Sequence, residues 1–173
     1  MDYIQIEELA RQAGFTHMGP LNPETIEQKT EVRQMCEACG RYGKHWSCPP
    51  GCGTLEECTQ RVKNYHKGIL VQTVGELEDE FDGEAMMETQ QLHKEHFAEL
   101  CALLKDANAL KLGAGCCTVC KTCAYPDAPC RFPEKMVSSM ESYGIVVAEV
   151  CKANDLPYYY GKNTIAYTSC VLF

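Results

Sequence analysis

The stretch Gly113–Pro133, GAGCCTVCKTCAYPDAPCRFP, limits this chain more than any other. It holds Cys116, Cys117, Cys120, Cys123 and Cys130 beside Gly113, Gly115, Pro126, Pro129 and Pro133. Gly and Pro at that density discourage both helix and strand, and the segment carries little apolar material from which to build a core. Such a loop needs another source of order, and metal–thiolate bonds supply one, because metal binding is coupled to the folding of the segment that provides the ligands.

Counted from Cys117, the spacing is C-x2-C-x2-C-x6-C. It is close to the C-x2-C-x2-C-x3-C-P run that binds clusters in bacterial ferredoxins, with a longer final interval. Thiolates three residues apart on a non-helical loop wrap one face of a cubane. A fourth, reached after a proline-braced excursion, closes the other side. The expectation is a [4Fe-4S] cluster held by Cys117, Cys120, Cys123 and Cys130.

A second thiol region, CEACGRYGKHWSCPPGCGTLEEC, runs from Cys36 to Cys58. Cys36 and Cys39 form a knuckle-like pair, Cys48 follows in a loop stiffened by Pro49-Pro50 and flanked by Gly43 and Gly51, and Cys52 comes four residues later. Three or four of Cys36, Cys39, Cys48 and Cys52 can converge on one centre, with backbone N–H groups aimed at sulfur. Two readings compete here: a second iron–sulfur cluster, and a zinc knuckle of the form C-x2-C-x8-C-x3-C, which zinc accepts tetrahedrally. Tyr42 and Trp46 are placed to shield the site. His45 is within ligand reach, and solvent exposure is its competing reading.

Size and charge limit the remaining possibilities. A chain of 173 residues with 45% hydrophobic content supports one globular domain, residues 1–173, with a core of its own. Thirteen cysteines would suit a disulfide framework in a small secreted domain, but the acidic, amphipathic start MDYIQIEELARQ is not a signal segment. With no apolar run of membrane-spanning length, the expectation is a cytoplasmic protein that uses its thiols for metal. A formal charge of -8 argues against nucleic acid, whose binding depends on Lys and Arg, and favours a basic protein surface as partner.

Along the chain, Ile6, Leu9, Ala10 and Ala13 predict a short helix closed by Gly14, and Phe15–Leu21 a strand. His17 in that strand is taken as a packing residue. Thr54 and Glu57 form a capping box before a helix whose apolar face includes Leu55, Cys58, Val62 and Tyr65. Gly68–Val74 predicts a buried strand, and the acidic segment after it a solvated connector. Residues 84–108 contain neither Gly nor Pro and predict the longest helix, with Met86, Met87, Phe97, Leu100, Cys101 and Leu104 as its buried stripe and His93 and His96 in solvent. Residues 109–113 predict a strand that delivers the chain into the central loop. Pro133 starts a helical turn, Ser138 with Glu141 suggests a second capping box, and Cys151 packs in the helix beyond it. Leu156–Tyr160 and Thr164–Leu172 predict a hairpin around Gly161-Lys162-Asn163. The sum is an α+β domain with one mixed or antiparallel sheet, helices mainly on one face and both cysteine loops at one end.

The set Cys36, Cys39, YGKHWSCPP (Tyr42–Pro50), the Gly115–Cys123 loop and Cys130-Arg131-Phe132-Pro133-Glu134-Lys135 followed by Ser139-Met140-Glu141 resembles a family of predicted metal-binding proteins, domain of unknown function 2284. The resemblance runs from about Phe15 to Phe173. It implies metal binding, and its cysteines carry over to Cys36, Cys39, Cys48, Cys117, Cys120, Cys123 and Cys130. Cys52 and Cys116 stand outside the family's pattern.

The leading functional expectation is an iron–sulfur protein, with one or two clusters, that passes electrons to or from a redox partner protein. A second is an iron–sulfur enzyme: Cys36, Cys39 and Cys48 alone would leave one iron position open. Cys116, Cys120 and Cys123 also spell the C-x3-C-x2-C of radical S-adenosylmethionine enzymes, but those resemble a barrel extending well beyond the motif, and Thr122 stands where they have an aromatic. A third is a zinc-stabilised binding module.

Overall fold

The computed structural model describes residues 1–173. It contains helices α1 (Tyr3–Gln12), α2 (Thr30–Ala38), α3 (Leu55–Lys63), α4 (Gly83–Leu103) and α5 (Val147–Ala153), and strands β1 (His17–Leu21), β2 (Gly68–Glu76), β3 (Leu110–Gly113), β4 (Ser138–Ser139) and β5 (Thr164–Leu172). The strands form one sheet in the order β1-β2-β5-β3-β4. All neighbours are antiparallel except β3 and β4, so the sheet is mixed and the α+β expectation holds.

The spine is the β2–β5 pair, in register along nine residues from Gly68↔Leu172 to Glu76↔Thr164. Because successive side chains on a strand point to opposite faces, Ile69 and Val71 enter one core while Leu70 enters the other. On the first face α1 and α4 cover Ile69, Val71 and Val171 with Ile6, Ala10, Phe97 and Leu100. On the second, α3, α5 and the 3-10 turn Glu141–Tyr143 cover Leu70, Leu112 and Cys170 with Cys58, Val62, Tyr143 and Val150.

Local signals explain the helix starts. Asp2 caps α1, accepting from the Gln5 backbone while Gln5 reaches back, each at 2.9 Å. The expected Thr54–Glu57 box is formed, with bonds of 3.1 and 2.8 Å. Asp82 caps α4 by accepting from the Ala85 N–H at 3.1 Å.

Four expectations fail for identifiable reasons. Leu156–Tyr160 is not a strand: β5 already has β2 on one edge and β3 on the other, Pro157 has no N–H to give, and Asp155 turns the chain with φ 57°. Instead this segment crosses the second face, where Leu156 is buried and the Pro157 carbonyl accepts from Gln72 Nε2 at 2.9 Å. The Ser138–Glu141 box does not form, because Ser138 and Ser139 are drawn into pairing with β3. Within α4 the buried stripe is Thr89, His93, Phe97 and Leu100, while Met87 is 67% exposed. His93 is accordingly in the core and not in solvent, its ring nitrogens bonded to Thr73 Oγ1 at 2.9 Å and Ser169 Oγ at 2.6 Å. Finally, α2 was not expected at all, since it buries only Val32. No helix is long and apolar enough to cross a membrane.

Candidate metal centres

Strand β3 ends at Gly113 and releases the chain into the central loop, which has no regular structure until β4. Gly115 takes φ +73°, a left-handed turn that glycine adopts without the Cβ penalty, and this reverses the backbone just before Cys116 and Cys117. The far end of the loop is braced by Arg131, whose guanidinium donates to the Thr122 carbonyl at 2.9 Å. Folded this way, Cys117, Cys120, Cys123 and Cys130 all line one small cavity of about 20 Å³. Phe132, Met136 and Trp46 supply apolar wall, and His45 reaches the rim from the other loop.

The first cysteine loop is positioned by α2 and α3. Cys36 is in the last turn of α2 and Cys39 caps its C-terminus, with its N–H bonded to the Cys36 carbonyl at 3.1 Å. Arg33, one turn before Cys36, ties this helix down: it donates to the Gly53 carbonyl at 2.7 Å, the Ser142 carbonyl at 3.0 Å and Cys58 Sγ at 3.7 Å. Cys48 follows buried Ser47 and is half-buried. Burial pushes the Cys48 thiol up, Ser47 pulls it down, and the nearby Cys116, Cys39 and Cys36 thiols push it up further. Burial likewise raises Cys36, against the pull of Arg33.

Cys52 is placed differently. It is 6% exposed, a member of the apolar core on the second face, with its Sγ 3.8 Å from the Ser142 carbonyl. Beside it Cys58 is fully buried, its thiol brought down by Cys52 and by the Arg33 and Arg61 charges. Burial and Cys58 together raise Cys52.

The two loops are docked on each other. Trp46 Nε1 donates to the Ala128 carbonyl at 3.0 Å, and its ring meets Tyr125 edge-on at 4.8 Å. Gly51 permits this approach, since a Cβ there would lie 2.7 Å from the His45 carbonyl and 3.1 Å from the Tyr125 ring. Ser47 Oγ accepts the Cys117 N–H at 3.1 Å. Cys101, on α4, is half-buried, and its thiol is raised to about 11 by burial, while Cys151 and Cys170 are core residues. All thirteen cysteines are free thiols.

Whether the residues fit a metal group is answered by their chemistry: four soft donors face one cavity with apolar cover and a glycine-containing backbone, which is the donor set that iron–sulfur clusters and zinc both take. No three His, Cys, Asp or Glu side chains converge as ligands of a single ion. Sequence reasoning missed Arg33, Ser47 and the Cys52–Cys58 contact. Arg33 had a signal in its i, i+3 relation to Cys36 across a stretch without Gly or Pro, whereas the other two are contacts between segments.

A second, larger cavity of about 680 Å³ lies between α4 and the central loop, with His93, Phe97, Lys94, Lys111, Cys116 and Cys117 among its walls.

In comparisons with known proteins, the family model described as predicted metal-binding protein, domain of unknown function 2284, matches residues 19–173. No curated protein and no solved structure matches the chain.

Proposed function

The chain belongs to that family of predicted metal-binding proteins, and from this premise we propose that it is an iron–sulfur protein that passes electrons to or from a partner protein. The observation that carries the reading is the single cavity lined by Cys117, Cys120, Cys123 and Cys130. The C-x2-C-x2-C-x6-C spacing of these four thiols, close to the ferredoxin run, favours a polynuclear cluster, whose irons each take one ligand, over a single zinc ion.

A bound cluster would supply one-electron chemistry, and the chain's residues would supply the rest. Apolar cover from Trp46, Phe132 and Met136 would limit water, which together with hydrogen bonds to sulfur sets the potential. The docked first loop would bring a second centre close, giving electrons a short path. A net charge of -8 favours a partner with a basic surface, by which association is steered. Thirteen free thiols fit a reducing, cytoplasmic setting.

The test is anaerobic purification with iron, sulfide and zinc quantified. The expected protein is brown, carries about four irons per cluster and bleaches in air. A colourless protein with stoichiometric zinc, unchanged after reconstitution with iron and sulfide, overturns the reading.

One observation favours the alternative of an iron–sulfur enzyme, namely the 680 Å³ cavity that reaches Cys116 and Cys117 and is bordered by Lys94, Lys105, Lys111 and Lys135. An enzyme of this kind would take a small organic anion there. Inorganic phosphate or a short carboxylate that shifts the electron paramagnetic resonance of the reduced protein would support it, and an unchanged spectrum would speak against it.

A further inference from the structure

Helix α4 turns a stripe of alternating small and cationic side chains toward the central loop. Lys94, Phe97, Ala98, Cys101, Ala102 and Lys105 recur at spacings of three and four residues, so they share one face of the helix, and all six line the cavity of about 680 Å³. Ala98 and Ala102 keep its middle open. We propose that this cavity binds an organic anion with an apolar body, the body lying against α4 and the anionic head held at the mouth by lysines. Such binding goes beyond electron transfer, gives the anion of the enzyme alternative an apolar body, and depends on neither metal nor catalysis.

The charge around the cavity is opposite to that of the chain. The whole protein has 24 acidic and 16 basic residues, yet Lys94, Lys105, Lys111 and Lys135 border this space against one carboxylate, Glu134. None of these lysines is in an ion pair, since the salt bridges are Arg11–Glu7 and Lys29–Glu149. Lys111 is engaged at the end of α4, where it donates to the Leu104 and Cys101 carbonyls at 2.9 and 3.3 Å. Lys94 donates to the Cys116 carbonyl at 3.3 Å, a neutral acceptor that leaves its charge uncompensated. Lys135 sits over the Phe132 ring at 5.7 Å, and both it and Lys105 are exposed. Lys94, Lys105 and Lys135 are therefore available to an anion.

The deep end of the cavity asks for no polar partner. His93 and Ser169 are fully buried there and satisfy each other, with the second ring nitrogen of His93 bonded to Thr73 Oγ1. Phe97 stacks parallel to the His93 ring, and Val119 and Val137 add further apolar wall. A bare inorganic anion would leave this wall wet, whereas an acyl chain or a ring covers it. The volume falls within the range of organic-ligand sites, about 300–1,000 Å³. A cation of the same shape would meet repulsion at the mouth, and a neutral molecule would gain nothing from the lysines.

The test is calorimetric titration of the anaerobically purified full chain, its metal counted beforehand. Octanoate is expected to bind about tenfold more tightly than octan-1-ol or octylammonium, the contribution of two or three exposed ammonium groups. From hexanoate to octanoate the affinity should rise about fourfold per methylene, and inorganic phosphate should bind more weakly than octanoate. Octyl phosphate identifies the head group: tighter binding than octanoate assigns a phosphate and weaker binding a carboxylate, and either upholds the site. The double variant Lys105→Glu, Lys135→Glu, at two exposed positions, should weaken octanoate by about tenfold and leave octan-1-ol unchanged. Ala98→Trp, which fills the cavity from the surface of α4, should abolish both; if it does not fold, the charge-reversed variant decides. Equal affinity for octanoate and octan-1-ol, for octanoate and inorganic phosphate, or of wild type and charge-reversed variant for octanoate overturns the proposal. A zinc-loaded chain that binds octanoate refutes the iron–sulfur reading and upholds this site, and an iron-loaded chain indifferent to octanoate does the reverse.

Discussion

The backbone N–H of Cys117 is bonded to the Ser47 hydroxyl at 3.1 Å, across 70 residues of sequence, and this bond joins the two cysteine loops. Ser47 is 1% exposed and Cys117 half-buried, so the bond is partly shielded from water. Ser47→Ala leaves the half-buried Cys117 N–H without its protein partner and is expected to cost about 1 kcal/mol. The measurable consequence is faster metal loss: chelator should strip both centres sooner from the variant than from the wild type. Equal stripping rates would show that the Ser47 bond does not help retain metal and that the Trp46 contacts to Ala128 and Tyr125 suffice to dock the loops.

Ligand thiols and packing thiols should separate cleanly. Alanine at Cys120, Cys123 or Cys130 removes a metal bond from a loop without its own core, so each variant should lose that cluster and become protease-sensitive over residues 113–133. Cys151 is fully buried in α5 and touched by Gln72 Nε2 at 3.7 Å. Cys151→Ala is a small-cavity change costing on the order of 1 kcal/mol, and Cys101→Ala should cost less; both should keep full iron. Iron content settles the matter, and the assignment falls if alanine at Cys101 or Cys151 abolishes it while alanine at Cys120 or Cys123 does not.

Arg33 holds α2 through two carbonyls and one sulfur, and α2 carries Cys36. With the guanidinium gone, α2 keeps only Val32 as a buried anchor. Arg33→Leu is expected to destabilise the fold by about 2–3 kcal/mol, since hydrogen bonds from a charged donor are lost. It should weaken the first centre selectively. Thermal unfolding together with metal content checks both parts, and a variant that retains the first centre at wild-type affinity would contradict the role given to Arg33.

Acid sensitivity should trace in part to His93. Burial depresses its pKa from 6.5 to about 3, and the Thr73 and Ser169 hydroxyls hold the ring in place. Between those two values the unfolded chain binds a proton that the folded chain refuses, so stability falls as pH falls. The slope from this residue is about 1.4 kcal/mol per pH unit, and above pH 6.5 the contribution vanishes. His93→Gln can still bond to both hydroxyls without titrating. Denaturation midpoints of the two proteins between pH 7 and pH 5 should therefore diverge, the wild type losing more. Parallel curves would place the acid sensitivity elsewhere, for instance in protonation of ligand thiolates, which both proteins share.

Much of the architecture was legible in order along the chain. The Thr54–Glu57 box, the apolar run at Gly68–Val74 and the Gly- and Pro-dense loop after Gly113 each carry their instruction locally, through capping, β-branched content and backbone restriction. The eight candidate ligands were likewise visible as spacings. Decisions that join distant segments were not. Leu156–Tyr160 has the composition of a strand, yet one edge of β5 goes to β2, which pairs with it along nine residues, and the other to β3. His93 sits between charged neighbours in the sequence, yet the helix rotates it onto Thr73 and Ser169 because Phe97 and Leu100 must face the sheet. Cys52 and Cys116 are equivalent as letters in a cysteine-rich chain. Only packing separates them: the core claims the Cys52 sulfur, and Cys116 borders the cavity beside α4, because a side chain's surroundings are set by what the whole chain must bury.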